Sequence, residues 1–160
     1  MHRVIELLQR KPLVLHVWSR DKAESEVLPD EHAMISITDR KEEAALPACC
    51  QRKMLLRISF PDAERPIEGH ELFSSSDANK ILDFVAQVVE AGHRVLVVHC
   101  EAGISRSAAV AAALATIADE SPFRFWQGFI PNPRIFNLLL RAAVLDSGTW
   151  FADAQLKKQG

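Results

Sequence analysis

The sequence predicts a single α/β domain with a mostly parallel central sheet flanked by helices. Short aliphatic and β-branched runs alternate with segments whose apolar residues recur every three or four positions. One strand-like run, RVLVV at residues 94–98, is too apolar to have a wet face, which places it centrally in a parallel sheet. The 160 residues, 48% hydrophobic and 25% charged, suffice for one core without disulfide or metal staples.

Each element follows in order. Residues 12–18 (PLVLHVW) read as a buried strand, and an acidic stretch at 21–28 as a short helix or loop. Residues 33–38 form a second strand, followed by a charged, solvated segment at 39–45. A third strand covers 53–60 and runs into a loop at 61–66 bounded by Pro61 and Pro66. The clearest helix carries Ala78, Ile81, Leu82, Val85, Val88 and Val89 on one face. Serines 74–76 supply its N-cap, Asp77 suits its positive end and Gly92 closes it. After the fourth strand, residues 107–118 form a helix rich enough in alanine to lie close against its neighbours. A last helix starts near Pro133 and carries Ile135, Leu138, Leu139, Leu140 and Val144. One domain spans residues 1–160, with a peripheral tail from Ser147, and the first thirty residues hold no distinctive motif.

Composition narrows the function. A formal charge of −2 with scattered Lys and Arg leaves no basic stripe for nucleic acid. No apolar run reaches the length of a membrane span, and the start, MHRVIELLQRK, lacks a signal-peptide core, so a cytoplasmic protein without a membrane partner is expected. Cys49, Cys50 and Cys100 show neither CxxC nor zinc-site spacing, so no metal is expected and Cys100 is a free thiol. Cys49 or Cys50 trapping an oxidised Cys100 is the alternative to ordinary packing. His16, His70 and His93 are expected to be structural or superficial. For Phe123, Phe125 and Trp126, core packing is expected ahead of a substrate-lining role.

The chemistry concentrates in VVHCEAGISRS, residues 97–107. Cys100 follows a strand and precedes a helix, so its sulfur lies near the positive helix end and Arg106; both favour the thiolate. The five residues Glu101, Ala102, Gly103, Ile104 and Ser105 make a loop whose N–H groups turn inward, with Gly103 allowing the tight path. Such a loop cradles a tetrahedral oxyanion that Arg106 grips bidentately. Ser107 is placed to assist the sulfur as a leaving group, and His99 to fix the loop through hydrogen bonds. Attack by a thiolate also needs an acid for the leaving oxygen. Asp62, on the proline-flanked loop after the third strand, is the first candidate, Asp39 the second and Glu64 the third.

HCEAGISRS is similar to the His-Cys-x5-Arg-Ser/Thr signature of the cysteine-based protein tyrosine phosphatases, and most resembles their dual-specificity branch. FSSSDANKILDFVAQVVEAGHRVLVVHC resembles the helix and strand that lead into that loop. Phe60-Pro61-Asp62 is similar to the Trp-Pro-Asp of the classical members, with phenylalanine for tryptophan. Ile130-Pro131-Asn132-Pro133 resembles the segment opening the last helix. The likeness covers roughly residues 33–145. It implies Cys100 as nucleophile, Arg106 as phosphate clamp, Asp62 as general acid and base, residues 101–106 as the backbone cradle and Ser107 as the aid to phosphocysteine breakdown.

The expected substrate is a phosphorylated protein or peptide carrying phosphotyrosine, with phosphoserine or phosphothreonine as further possibilities. Inorganic phosphate or another oxyanion fits the same loop, and no cofactor is required. Glu101 among the loop's neutral positions argues against highly charged inositol phosphates or RNA 5′ ends. Two other classes share such loops: rhodanese-like or arsenate-reductase-like enzymes, and phosphate-binding modules without turnover.

Overall fold

Four strands form one all-parallel sheet in the order β1-β4-β2-β3. They are β1 (Val14–Trp18), β2 (His32–Thr38), β3 (Arg52–Ser59) and β4 (Val95–His99). The computed structural model describes residues 1–39, 42–69 and 71–145; His70 and the tail from Ser147 lie outside the described residues. β2 is buried at every position and β4 at all but its first, as interior strands of a parallel sheet must be. β3, at one edge, alternates between more and less exposed positions and spends one face on solvent.

Among the described residues six helices accompany the sheet: α1 (Val4–Arg10), α2 (Arg20–Ser25), α3 (Ser75–Glu90), α4 (Arg106–Ile117), α5 (Arg124–Gln127) and α6 (Pro133–Val144). The start of α3 is a capping box, in which Ser74 Oγ accepts from the Asp77 N–H and Asp77 accepts from the Ser74 N–H. At its other end Gly92, at φ 87°, lets the Gly92 and His93 N–H groups turn back to the Val89 and Val88 carbonyls. α4 is buried along all its length except Thr116. Its alanines keep it thin enough to pack against β1, β4, α1, α5 and α6 at once. No described helix is long and apolar enough to cross a membrane.

Two elements were not expected. α1 anchors Val4 and Leu8 in the core and is fastened to α3 by His2–Asp83 at 2.7 Å and Arg3–Glu90 at 2.8 Å. Its N-cap residue Arg3 offers no capping bond, and His2 Nδ1 accepts from the Val4 N–H at 3.1 Å instead, so the start of the helix depends on the residue that also holds Asp83. α5 is a single turn that buries Phe125 while Phe123 and Trp126 stay largely exposed, so the expected core role holds for one aromatic of the three.

The parallel sheet also separates the cysteines. Cys49 and Cys50 precede β3 and so lie at the amino edge, whereas Cys100 follows β4 at the carboxyl edge. A strand length of about 17 Å stands between those edges, and a disulfide needs Cα atoms within about 7 Å. Neither cysteine can trap Cys100 in this fold.

Candidate active site

The carboxyl edge of the sheet gathers the ends of all four strands: Trp18 closing β1 with Ser19 after it, Asp39 after β2, Phe60 to Asp62 after β3 and Cys100 after β4. In parallel sheets this edge is where ligands bind.

Between β4 and α4 the chain turns through residues 100–105. The carbonyls of Glu101, Ile104 and Ser105 are drawn outward by the N–H groups of Arg20 (2.9 Å), Ile130 (3.0 Å) and Asn132 (3.1 Å). A trans peptide directs its N–H opposite to its carbonyl. The N–H groups of Ala102, Ser105 and Arg106 therefore face the inside of the turn. The first N–H groups of α4 have no partner within the helix and carry its positive end. Gly103 adopts φ 69°, and a Cβ there would meet Ser19 N at 2.6 Å and the Trp18 carbonyl carbon at 2.7 Å. Conformation and space both demand glycine.

Cys100 is 2% exposed, and its Sγ lies 3.1 Å from Ser107 Oγ on the first turn of α4. His99 is fully buried; its Nε2 pairs with Ser36 Oγ at 2.6 Å and its Nδ1 with the Cys100 carbonyl at 3.3 Å. Burial pushes its pKa down against the opposing bond to Cys100, with Arg20 adding to the depression, so the ring is neutral at pH 7. These two bonds link the ring to β2 and to the first carbonyl of the loop.

Arg106 is 4% exposed and turns over the end of the sheet. Its Nη1 donates to Asp39 Oδ1 at 2.8 Å and to the Phe60 carbonyl at 3.0 Å. Its buried Nε has no hydrogen-bond partner among the described residues. With both Nη1 protons committed, the Nε–Nη2 edge remains for a bidentate grip on an oxyanion. Asp39 thus engages the guanidinium.

Asp62 reaches the same loop from β3. Its Oδ1 accepts from Ser105 Oγ and from Asn132 Nδ2, both at 2.8 Å. Glu64 instead lines a 360 Å³ groove beside α6 with Pro133, Arg134, Asn137, Leu138 and Arg141. Of the three candidate acids, Asp39 pairs with the guanidinium, Glu64 faces the groove beside α6, and Asp62 bonds to the loop at Ser105 without pairing with Arg106.

Two residues to which the sequence assigns no site role complete the surroundings. Arg20 binds Glu101 Oε1 at 2.9 Å, Glu24 at 3.3 Å and the Glu43 carbonyl at 2.9 Å. Its pKa rises, chiefly through the bond to Glu101, so the acidic residue of the loop is neutralised in place. The argument from Glu101 against highly charged substrates loses force accordingly. Asn132 caps α6 and is 3% exposed; its place in the Pro-Asn-Pro segment was the available signal.

The fold and this loop define the class: the chain has the fold of the dual-specificity cysteine phosphatases. Among solved structures it resembles the human tyrosine phosphatase-like serine/threonine/tyrosine-interacting protein, at TM-score 0.57 and 22% identity over 81% of this chain and 91% of that one. Human DUSP28 matches at TM-score 0.55 and 18% identity, over 88% of this chain and 94% of its own. The tyrosine phosphatase OH1 from the Orf virus matches at TM-score 0.50 and 16% identity, over 89% and 96%. No family model matches the chain, and no curated protein does. Since the first of these structures is described as phosphatase-like, the fold leaves turnover to the side chains.

Proposed function

We propose that the chain is a cysteine-dependent phosphomonoester hydrolase acting on phosphotyrosine, with phosphoserine and phosphothreonine as further substrates. The observation that carries this reading is the meeting of Cys100, the free edge of Arg106 and Asp62 on one inward-facing loop. The Cys100 thiolate attacks phosphorus, and the bond to the leaving oxygen breaks with its electron pair on that oxygen. The Asp62 carboxyl supplies the proton, so the alcohol departs neutral and the phosphoryl group stays on sulfur. Asp62, now a carboxylate, then takes a proton from water as that water attacks phosphorus. The S–P bond breaks to thiolate and phosphate, and Ser107 donates to the departing sulfur. The inward N–H groups and Arg106 stabilise the equatorial oxygens throughout.

Ile104 and Ile130 support an aromatic leaving group. They are 43% and 76% exposed, and a hydrogen bond from Ile130 N to the Ile104 carbonyl joins their backbones at the lip of the loop. A phenyl ring covers such apolar surface better than a serine stem does. The Ser107 contact and the presence of Asp62 favour phosphoryl over sulfur transfer.

The test is aryl phosphate hydrolysis with chelator present. Cys100→Ser is expected to abolish turnover while keeping vanadate affinity; retained turnover refutes the mechanism. Faster release of thiocyanate from thiosulfate and cyanide than of phosphate would favour the sulfurtransferase reading.

A further inference from the structure

Asn132 touches three parts of the site with one side chain and one backbone group. Its Oδ1 accepts from the Arg134 and Ile135 N–H groups at 3.0 and 3.3 Å, capping α6. Two backbone donors on that oxygen fix which way the amide points. Nδ2 therefore faces the acid loop, donating to Asp62 Oδ1 at 2.8 Å and to the Ala63 carbonyl at 3.3 Å. Its own N–H holds the Ser105 carbonyl at 3.1 Å, and the Ser105 hydroxyl returns to Asp62 Oδ1 at 2.8 Å. Acid loop, phosphate loop and α6 close into one ring of hydrogen bonds.

We infer that Asn132, with Ser105, is a positioning residue that holds the Asp62 carboxyl over the loop and selects the oxygen that carries its proton. This rests on Asp62 being the acid. Two donors occupy both lone pairs of Oδ1, so a proton on the carboxyl resides on Oδ2. No described residue bonds to Oδ2, which leaves that proton to the substrate's leaving oxygen. The acid is then pre-organised: it is already docked to the cradle through a buried amide, and no swing of the loop is needed to bring it there.

The experiment compares kcat/KM for phenyl phosphate, whose leaving group needs a proton, with 2,4-dinitrophenyl phosphate, whose leaving group does not. Asn132→Ser keeps an N-cap oxygen and removes the amide donor. It is expected to slow the phenyl ester by about 10²-fold and the dinitrophenyl ester at least about tenfold less. Ser105→Ala, which leaves the helix cap alone, is expected to show the same bias more weakly. In an Asp62→Asn background, Asn132→Ser should add no further bias. Equal losses on both esters for Asn132→Ser and Ser105→Ala, with a clear bias for Asp62→Asn, would overturn the positioning role alone. If Asp62→Asn itself shows no bias, the acid assignment fails and this inference falls with it. Should Asn132→Ser lower the melting temperature below the assay range, Ser105→Ala decides between the same outcomes.

Discussion

Arg106 Nη1 lies 2.8 Å from Asp39 Oδ1, with the guanidinium buried and the carboxylate half exposed. The aspartate that competes with Asp62 in the sequence thus pairs with the guanidinium, and under the proposed mechanism it would aim the clamp. Asp39→Asn is expected to weaken vanadate inhibition about tenfold, the loss of one charge-assisted bond with a partly solvated partner. Its effect on kcat/KM should be the same for phenyl and dinitrophenyl phosphate. A loss confined to the phenyl ester would make Asp39 the acid instead.

Under the proposed mechanism Ser107 bears on the second half of the reaction, since its Oγ, 3.1 Å from Sγ, would assist sulfur as a leaving group. Ser107→Ala should leave the first phenol-releasing turnover nearly intact and slow phosphate release roughly tenfold. Rapid quench would then show a burst of one phenol per enzyme. A linear trace with both steps slowed alike counts against this assignment.

The loop and its flanking elements were legible because their signals are local. The apolar run of β4, the serine cap of α3 and the six fixed offsets from Cys100 to Arg106 all lie within one continuous stretch. What escaped is held by distant contacts. α1 gains its definition from Asp83 and Glu90, more than seventy positions away. Which of the two aspartates pairs with the guanidinium depends on β2 lying between β4 and β3, an order that no local signal carries. Arg20, just ahead of the acidic stretch at 21–28, gives no signal in the sequence, and only the end of β1 brings it beside Glu101.

Arg20 gives a third prediction. Removing its charge frees the Glu101 carboxylate to repel a dianionic substrate. Arg20→Gln should therefore raise KM several-fold more than it lowers kcat. Glu101→Gln in that background should restore KM by relieving the repulsion. If the double variant is no better than Arg20→Gln, the arginine serves the loop's shape rather than its charge.

His99 ties stability to pH. Its folded pKa lies below the ordinary 6.5, so below about pH 6.5 the unfolded chain takes up a proton that the folded chain resists. Stability is full above that pH and is lost as pH falls through the folded value. His16, also depressed by burial and then by Arg124, acts in the same direction. Urea midpoints should fall between about pH 7 and pH 5, and His99→Gln should flatten the slope. A midpoint that climbs on acidification contradicts a neutral buried ring.

The tight seat of Gly103 against Trp18 and Ser19 gives the opening segment of the chain a task that its sequence does not advertise. The turn that follows β4 is cast against the end of β1, as a thin shell takes its form from the mould behind it. A fragment starting at Ala33 would keep every residue of the phosphatase-like signature and lose the wall on which the turn is shaped.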